Sequence, residues 1–252
     1  MMLLGLLLIP LAATGLIALI HRRELMELMH MLAGITTLTV GAVVVVQVWN
    51  GDLLSALDGL FRVDALSALL VAIITFLGAI AALYAVGYIR AEFDQAHRSR
   101  ARLFFALFHL FIFTMLVAVT TDNLGVMWVA IEGTTLATVF LVNLHQTRTS
   151  LEAAYKYLIL SSVGIALAFI GTALMYYAGA AKAGEIAVNW SALRAAAASL
   201  NPEVVRLAFV FIVIGYGTKA GLAPMHTWLP DAHSEAPAPI SALMSGVLLN
   251  VG

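Results

Sequence analysis

The stretch "LAFVFIVIGYGTKAGLAPMHTWLPDAHSEAPAPISAL", residues 207–243, decides how the chain is read. An unbroken apolar run, residues 207–214, leads straight into Gly215, Gly217, Lys219 and Gly221. A segment with two histidines, an aspartate, a glutamate and four prolines follows. A charge at the centre of a membrane helix costs about 2.5–3.5 kcal/mol on insertion scales, so a lysine placed there has a task. The glycines and Pro224 around it predict a helix interrupted at membrane depth. Irregular backbone is tolerated there only where it is buried in protein or lines a watery cavity.

The composition agrees with a membrane setting. Of 252 residues, 62% are hydrophobic and only 11% are charged, against about 25% charged in soluble domains. An ordinary soluble domain is excluded. The net charge of -1 offers no basic footprint for nucleic acid, so partners are sought in the membrane, among lipids and other membrane subunits. There is no cysteine, which removes disulfides, thiolate catalysis and cysteine-ligated iron–sulfur clusters. No glycine-rich phosphate loop, catalytic triad or metal-spaced cluster is present. The chain is therefore expected to hold no catalytic residue, no metal and no cofactor. A histidine-ligated haem would need two facing histidines at similar depth, and only His109 reads as central.

Apolar runs of about 20 residues read as membrane-spanning helices. They predict an all-α polytopic membrane protein with seven complete spans, at 2–20, 28–48, 64–89, 103–120, 124–144, 152–178 and 203–222, the last of them interrupted. An eighth begins near Pro239 and stops after about 14 residues, or about 21 Å, against a hydrocarbon core of about 30 Å. The pattern predicts a helix cut short. The first apolar run has no basic residue before it and Arg22 and Arg23 after it, the reverse of a signal peptide, so the N-terminus is expected outside. Arg22, Arg23, Arg90, Arg98, Arg100, Arg102 and Arg148 fall on odd-numbered connections, and Arg62, Lys182, Arg194 and Arg206 on even ones. That bias places the odd connections, and the proline-rich loop after Lys219, in the cytoplasm. The alanine-rich connection 179–202 is expected to lie at the outer interface as a small helix.

Five titratable residues fall within or beside the spans: Asp64 at a helix mouth, His109, Glu132, Lys156 and Lys219. Each is expensive facing lipid and is expected to face the bundle interior. Glu132, in "MWVAIEGTTLATVFLV", is near midplane, where burial raises a carboxyl pKa and a nearby cation lowers it. Lys219 has the matching property in opposite sign. Two groups so poised can pass a proton; a static ion pair is the structural alternative. Lys156 is about one and a half turns into its span, one turn after Glu152, where it either snorkels or relays between Glu132 and Lys219. His109 serves as a relay or as an interhelical hydrogen-bond donor. His226 and His233, at the cytoplasmic mouth, have a near-neutral pKa suited to proton uptake.

The stretches "FRVDALSALL", "WVAIEGTTLATVFLV", "EAAYKYLILSS" and "GTKAGLAPMHTWLPDAHSEAPAPISALMSGVLLNVG" together resemble the antiporter-like membrane subunits of complex I, of Mrp sodium/proton antiporters and of energy-converting hydrogenases, most of all the F branch of the hydrogenase-4 proteins. The resemblance covers residues 60–252 well. It implies a fourteen-helix fold built as two inverted five-helix repeats. Residues 1–102 would be the peripheral helices one to three, and 103–252 the first repeat, helices four to eight, cut short within one transmembrane domain. A gene fragment or partial chain is expected on this view. The resemblance implies that Glu132 and Lys219 form the pair whose association and separation drive proton movement, with Lys156 as the sixth-helix lysine. Where relatives carry a helix-eight lysine or histidine, this sequence has Ser245 and Asn250, so any link onward would use hydroxyls or water.

The function these readings imply is proton translocation by a non-redox subunit of a multisubunit oxidoreductase, hydrogenase-4-like or NADH-quinone oxidoreductase-like, in the inner membrane beside peripheral redox subunits. The rivals are a Mrp-type sodium/proton antiporter subunit or a bicarbonate-uptake partner, and a structural membrane scaffold.

Overall fold

A computed structural model describes residues 2–94, 97–183 and 188–252, with backbone only at 181–183. The chain folds into long apolar helices: α1 Met2–Leu19, α2 Arg23–Trp49, α3 Ala65–Glu92, α4 Arg98–Thr120, α5 Leu124–Val142 and α6 Arg148–Ala183. Among the described residues, these six are long and apolar enough to cross a membrane. The seventh expected span is α8, Pro202–Ala220, of 19 residues, about 28 Å long at 1.5 Å per residue. It carries Glu203 and Arg206 near its start and Lys219 in its last turn, so that its charges fall at both ends of the apolar stretch. Between α6 and α8 lies the short helix α7, Trp190–Ala196, in the connection where a small helix is expected; residues 184–187 of that connection lie outside the described residues.

Local sequence sets the helix ends. Asp64 accepts from Ser67 N at 2.9 Å to start α3, and Asn123 accepts from Gly125 N and Val126 N, both at 3.0 Å, to start α5. Thr147 and Ser150 exchange side chain to backbone bonds, each at 3.0 Å, ahead of α6. Each contact satisfies amides that have no partner within the helix. Hydropathy starts the second span at residue 28, but α2 begins five residues earlier because Arg23 is not a loop charge. Its guanidinium is buried, donates to Phe93 O at 2.8 Å and Ile89 O at 2.9 Å, and ion-pairs with Glu27. It caps the C-terminal carbonyls of α3 from the neighbouring helix.

A two-stranded hairpin, β1 Leu54–Ala56 against β2 Phe61–Val63, follows α2. Its tight turn holds Leu57, Asp58 and Gly59 at positive φ. Strands of three residues are too short to show an alternating pattern, so hydropathy gives no sign of them. The hairpin is sewn to the start of α5 by a bridge from Phe61 to Thr121 and a bond from Asp122 N to Leu60 O at 2.9 Å.

The core is aromatic and centres on α4, whose Phe104, Phe105, Phe108 and Phe111 are fully buried. The opposite side of the bundle is made by α6 packed along α8. The two backbones meet because Gly215 faces Ala168: a side-chain carbon at Gly215 would sit 2.4 Å from Ala168 N. Small residues permit this approach, which drives helix association where lipid offers no hydrophobic gain. Gly215→Val is expected to force α6 and α8 apart and lower thermal stability by at least about 1–3 kcal/mol, the usual cost of overpacking. A melting curve of the full-length protein in detergent, compared with wild type, checks it; an unchanged curve refutes this account of the packing.

After α8 the chain turns, forms α9 Trp228–Glu235, and continues as α10 Ala238–Leu243. It then passes through a π-helical segment, Met244–Leu248, into α11 Leu249–Val251. This Ala238–Val251 unit is where the short eighth apolar segment is expected.

Candidate functional site

Lys219 occupies the last turn of α8 and is fully buried. The helix stops immediately after it, because Gly221 takes a left-handed conformation, φ 80°. Leu222 N then reaches back to Gly217 O at 2.8 Å and Gly221 N to Thr218 O at 3.3 Å, a Schellman ending. The interruption thus falls beyond the lysine. Gly215 and Gly217 stay helical, and the ending satisfies carbonyls that a break at those glycines would have left free. Trp228, from the first turn of α9, returns to donate Nε1 to Thr218 O at 2.9 Å.

Around the ammonium, the structure supplies hydroxyls. Nζ donates to Thr135 Oγ1 at 2.9 Å and to Tyr157 Oη at 2.7 Å. It lies 4.8 Å from the Tyr157 ring centre and 5.9 Å from that of Trp228, within reach of a cation–π attraction. Tyr157 Oη is in turn 2.7 Å from Thr138 Oγ1. A lysine taken this far out of water is stabilised by hydrogen bonds and ring faces.

Glu132 does not touch it. Its Oε1 accepts from Ser162 Oγ at 2.8 Å, and its Oε2 is buried without a partner. Among the described residues no ion pair joins Glu132 to Lys219. The two are nonetheless close along α5: Thr135, which accepts from Lys219 Nζ, lies three residues after Glu132 on the same face. Thr135 thus links Lys219 to the face of α5 that carries Glu132.

Lys156 is elsewhere. It is 49% exposed and bonds Glu152 Oε1 at 2.8 Å and Asp231 Oδ2 at 3.0 Å, tying α6 to α9. Successive helical residues point about 100° apart, so with Tyr157 turned inward Lys156 is turned out. The interior position on α6 that faces Lys219 belongs to Tyr157. The mouth beside Lys156 is a cavity of about 170 Å³ lined by Thr149, Glu152, Asp231, Ser234 and Glu235.

His109 is buried, with Nε2 3.0 Å from Nδ1 of His30, itself fully buried between the rings of Phe105 and Phe108. The second central histidine that hydropathy fails to show is His30: the early start of α2 puts it two turns into a helix rather than at its mouth. Direct contact between the ring nitrogens makes this a histidine–histidine hydrogen bond. His226 is exposed in the turn before α9. His233 is half-buried, with Nδ1 2.9 Å from Ser241 Oγ, and burial pushes its pKa below the usual imidazole value. Ser245 and Asn250 are exposed, and Asn250 donates to Gly246 O at 3.0 Å within its own helix. Neither contacts Lys219. Asp64 serves as the cap of α3. Thr135, Thr138, Tyr157, Ser162 and Trp228 are the site residues that titratable groups alone do not reveal; the run "GTTLAT" after Glu132 is their one sequence signal.

Residues 121–252 match the family model described as NADH:quinone oxidoreductase/Mrp antiporter, TM. The chain belongs to this antiporter family. Residues 55–100 match a second model, NADH-ubiquinone oxidoreductase (complex I) chain 5 N-terminus. Among curated relatives of this antiporter family member, the hydrogenase-4 component F homolog of Methylacidiphilum infernorum is 45% identical over 195 residues, spanning 76% of this chain and 41% of that protein. Hydrogenase-4 component B of Escherichia coli K12 is 33% identical over 195 residues, spanning 77% of this chain and 27% of that protein. The fold matches a chain of the membrane-bound sulfane sulfur reductase, an archaeal respiratory membrane complex, with a TM-score of 0.86 and 21% identity, over 99% of this chain and 51% of that one. The chain thus spans less than half the length of these curated relatives and has the antiporter-like fold of a multi-pass membrane subunit.

Proposed function

We propose that this chain carries protons across the inner membrane as a subunit of a multisubunit oxidoreductase of the hydrogenase-4 or NADH-quinone oxidoreductase type, with its N-terminus outside. The observation that carries the reading is Lys219: fully buried, with no carboxylate in ion-pair contact among the described residues, and held by hydroxyls, that of Thr135 one helical turn from Glu132. An ammonium in that position is costly, and Glu132 Oε2 is buried without a partner. Protons would be taken up through the mouth lined by Glu152, Asp231 and Glu235. Charge movement at Glu132 would then release the proton from Lys219. The redox chemistry would belong to peripheral partner subunits. A sodium-binding reading draws less support, because the Lys219 pocket presents hydroxyls around a cation and not the several oxygens a bare cation requires.

The test uses inverted membrane vesicles containing the full-length assembled complex, with Lys219→Ala compared to wild type at equal assembly. Proton pumping is expected to fall about a hundredfold, the lower end for loss of a positioned proton carrier. Unchanged pumping would make Lys219 structural and favour the scaffold reading.

A further inference from the structure

A charged lysine has three N–H bonds, and two of those on Lys219 are committed, to Thr135 Oγ1 and Tyr157 Oη. Since Tyr157 Oη accepts from the lysine, its own O–H is directed to Thr138 Oγ1, 2.7 Å away. Thr138 in turn donates to the backbone carbonyl of Thr134 at 2.6 Å. The donors along this branch all run one way, and the last acceptor is an amide oxygen, which accepts a hydrogen bond but does not carry a proton near neutral pH. A proton leaving Lys219 along it would have nowhere to go.

The open acceptors lie elsewhere. Ser161 Oγ and Glu132 Oε2 are both buried without a partner. Ser161 follows Tyr157 by four residues, on the same face of α6, and its neighbour Ser162 already holds the other carboxylate oxygen of Glu132. We infer that Tyr157 and Thr138 form a hydroxyl stop that closes one side of Lys219, leaving its proton exchange to the Thr135 side and the third N–H, toward the acceptors Ser161 and Glu132. This rests on the proton-carrying reading above. In the transfer, one Nζ–H bond breaks and one O–H bond forms on Glu132 Oε2, directly or through water. The ammonium becomes an amine, the carboxylate becomes a carboxylic acid, and the total charge is unchanged. Tyr157 and Thr138 are positioning residues; they neither gain nor lose a proton.

The experiment measures passive proton leak and protons moved per electron in proteoliposomes of the full-length complex. Tyr157→Phe keeps the ring packed against Trp228, 4.8 Å between centres, and removes only the hydroxyl. It is expected to raise the leak about tenfold, the factor carried by one hydrogen bond to a charged group, and to lower the coupling ratio. Thr138→Val, which frees the Tyr157 O–H to turn, should leak likewise, and Thr138→Ser should behave as wild type. If Tyr157→Phe fails to assemble, Thr138→Val decides. Tight coupling in both Tyr157→Phe and Thr138→Val, while Lys219→Ala abolishes pumping, would overturn the stop and leave the proton-carrying reading intact. Unchanged pumping in Lys219→Ala would overturn that reading itself. A tyrosine that served only for packing would leave leak and coupling unchanged in Tyr157→Phe.

Discussion

Glu132→Gln and Lys219→Ala are each expected to cut proton pumping about a hundredfold at equal assembly, and the double variant is expected to lose little more than either alone. The glutamine is chosen because it preserves what the structure shows of Glu132. An amide oxygen still accepts from Ser162 Oγ, as the carboxylate does at 2.8 Å, so α5 and α6 stay in register. What it cannot do is take up a proton. If the two residues worked independently, the losses would multiply to about ten-thousandfold; if they are successive holders of one proton, removing either empties the path. The static-scaffold alternative predicts the opposite, because replacing both members of a structural pair by apolar residues of similar size is often neutral. Pumping measured in vesicles for both single variants and the double separates the three outcomes.

The separation of Glu132 from Lys219 is itself functional on this view. A tight buried ion pair would hold both charges in place, and moving a proton would mean breaking it in a medium of low dielectric. Thr135 holds Lys219 one turn along α5 from Glu132, and Ser162 holds Glu132 separately, so that either can change charge without a collapse of the packing.

Much of this was legible in the residues. Runs of about 20 apolar residues mark the spans, and the glycines and prolines after residue 214 mark the broken helix, because charge and backbone irregularity are both costly in lipid. Glu132 and Lys219 stand out for the same reason. The hydroxyls do not: a threonine or tyrosine carries no such cost, and whether Tyr157 or Lys156 faces inward depends on one residue of helical phase. His30 and Arg23 are missed for a related cause. Hydropathy sees a polar residue near a span boundary as the end of the helix, whereas here α2 runs on for another turn, because neighbouring helices satisfy its polar groups.

Arg23 supplies the second large effect, this time on stability. Its side chain is 9% exposed and bridges three things: Glu27 at 3.0 Å, Phe93 O and Ile89 O. Glu27, 2% exposed, is also held by Arg90 at 2.6 Å, whose own side chain is 61% exposed. Both arginines share one carboxylate, yet they are not equivalent. Removing Arg90 leaves Glu27 with its buried partner and opens the outer oxygen to water or headgroups. Removing Arg23 takes the donor from Phe93 O and one of two donors from Ile89 O, which still accepts from Phe93 N at 3.0 Å, and strips the inner side of a buried carboxylate. Arg23→Ala is therefore expected to destabilise the protein by about 3 kcal/mol, the lower end for breaking a buried pair because Arg90 still neutralises Glu27. Arg90→Ala should cost clearly less, and Arg23→Lys should recover only part of the loss, since an ammonium cannot reach three acceptors with the planar fork of a guanidinium. Melting temperatures of the three variants in detergent, with the full-length protein, provide the comparison. Equal shifts for Arg23→Ala and Arg90→Ala would mean that the ion pair alone matters and that the cap on α3 contributes nothing.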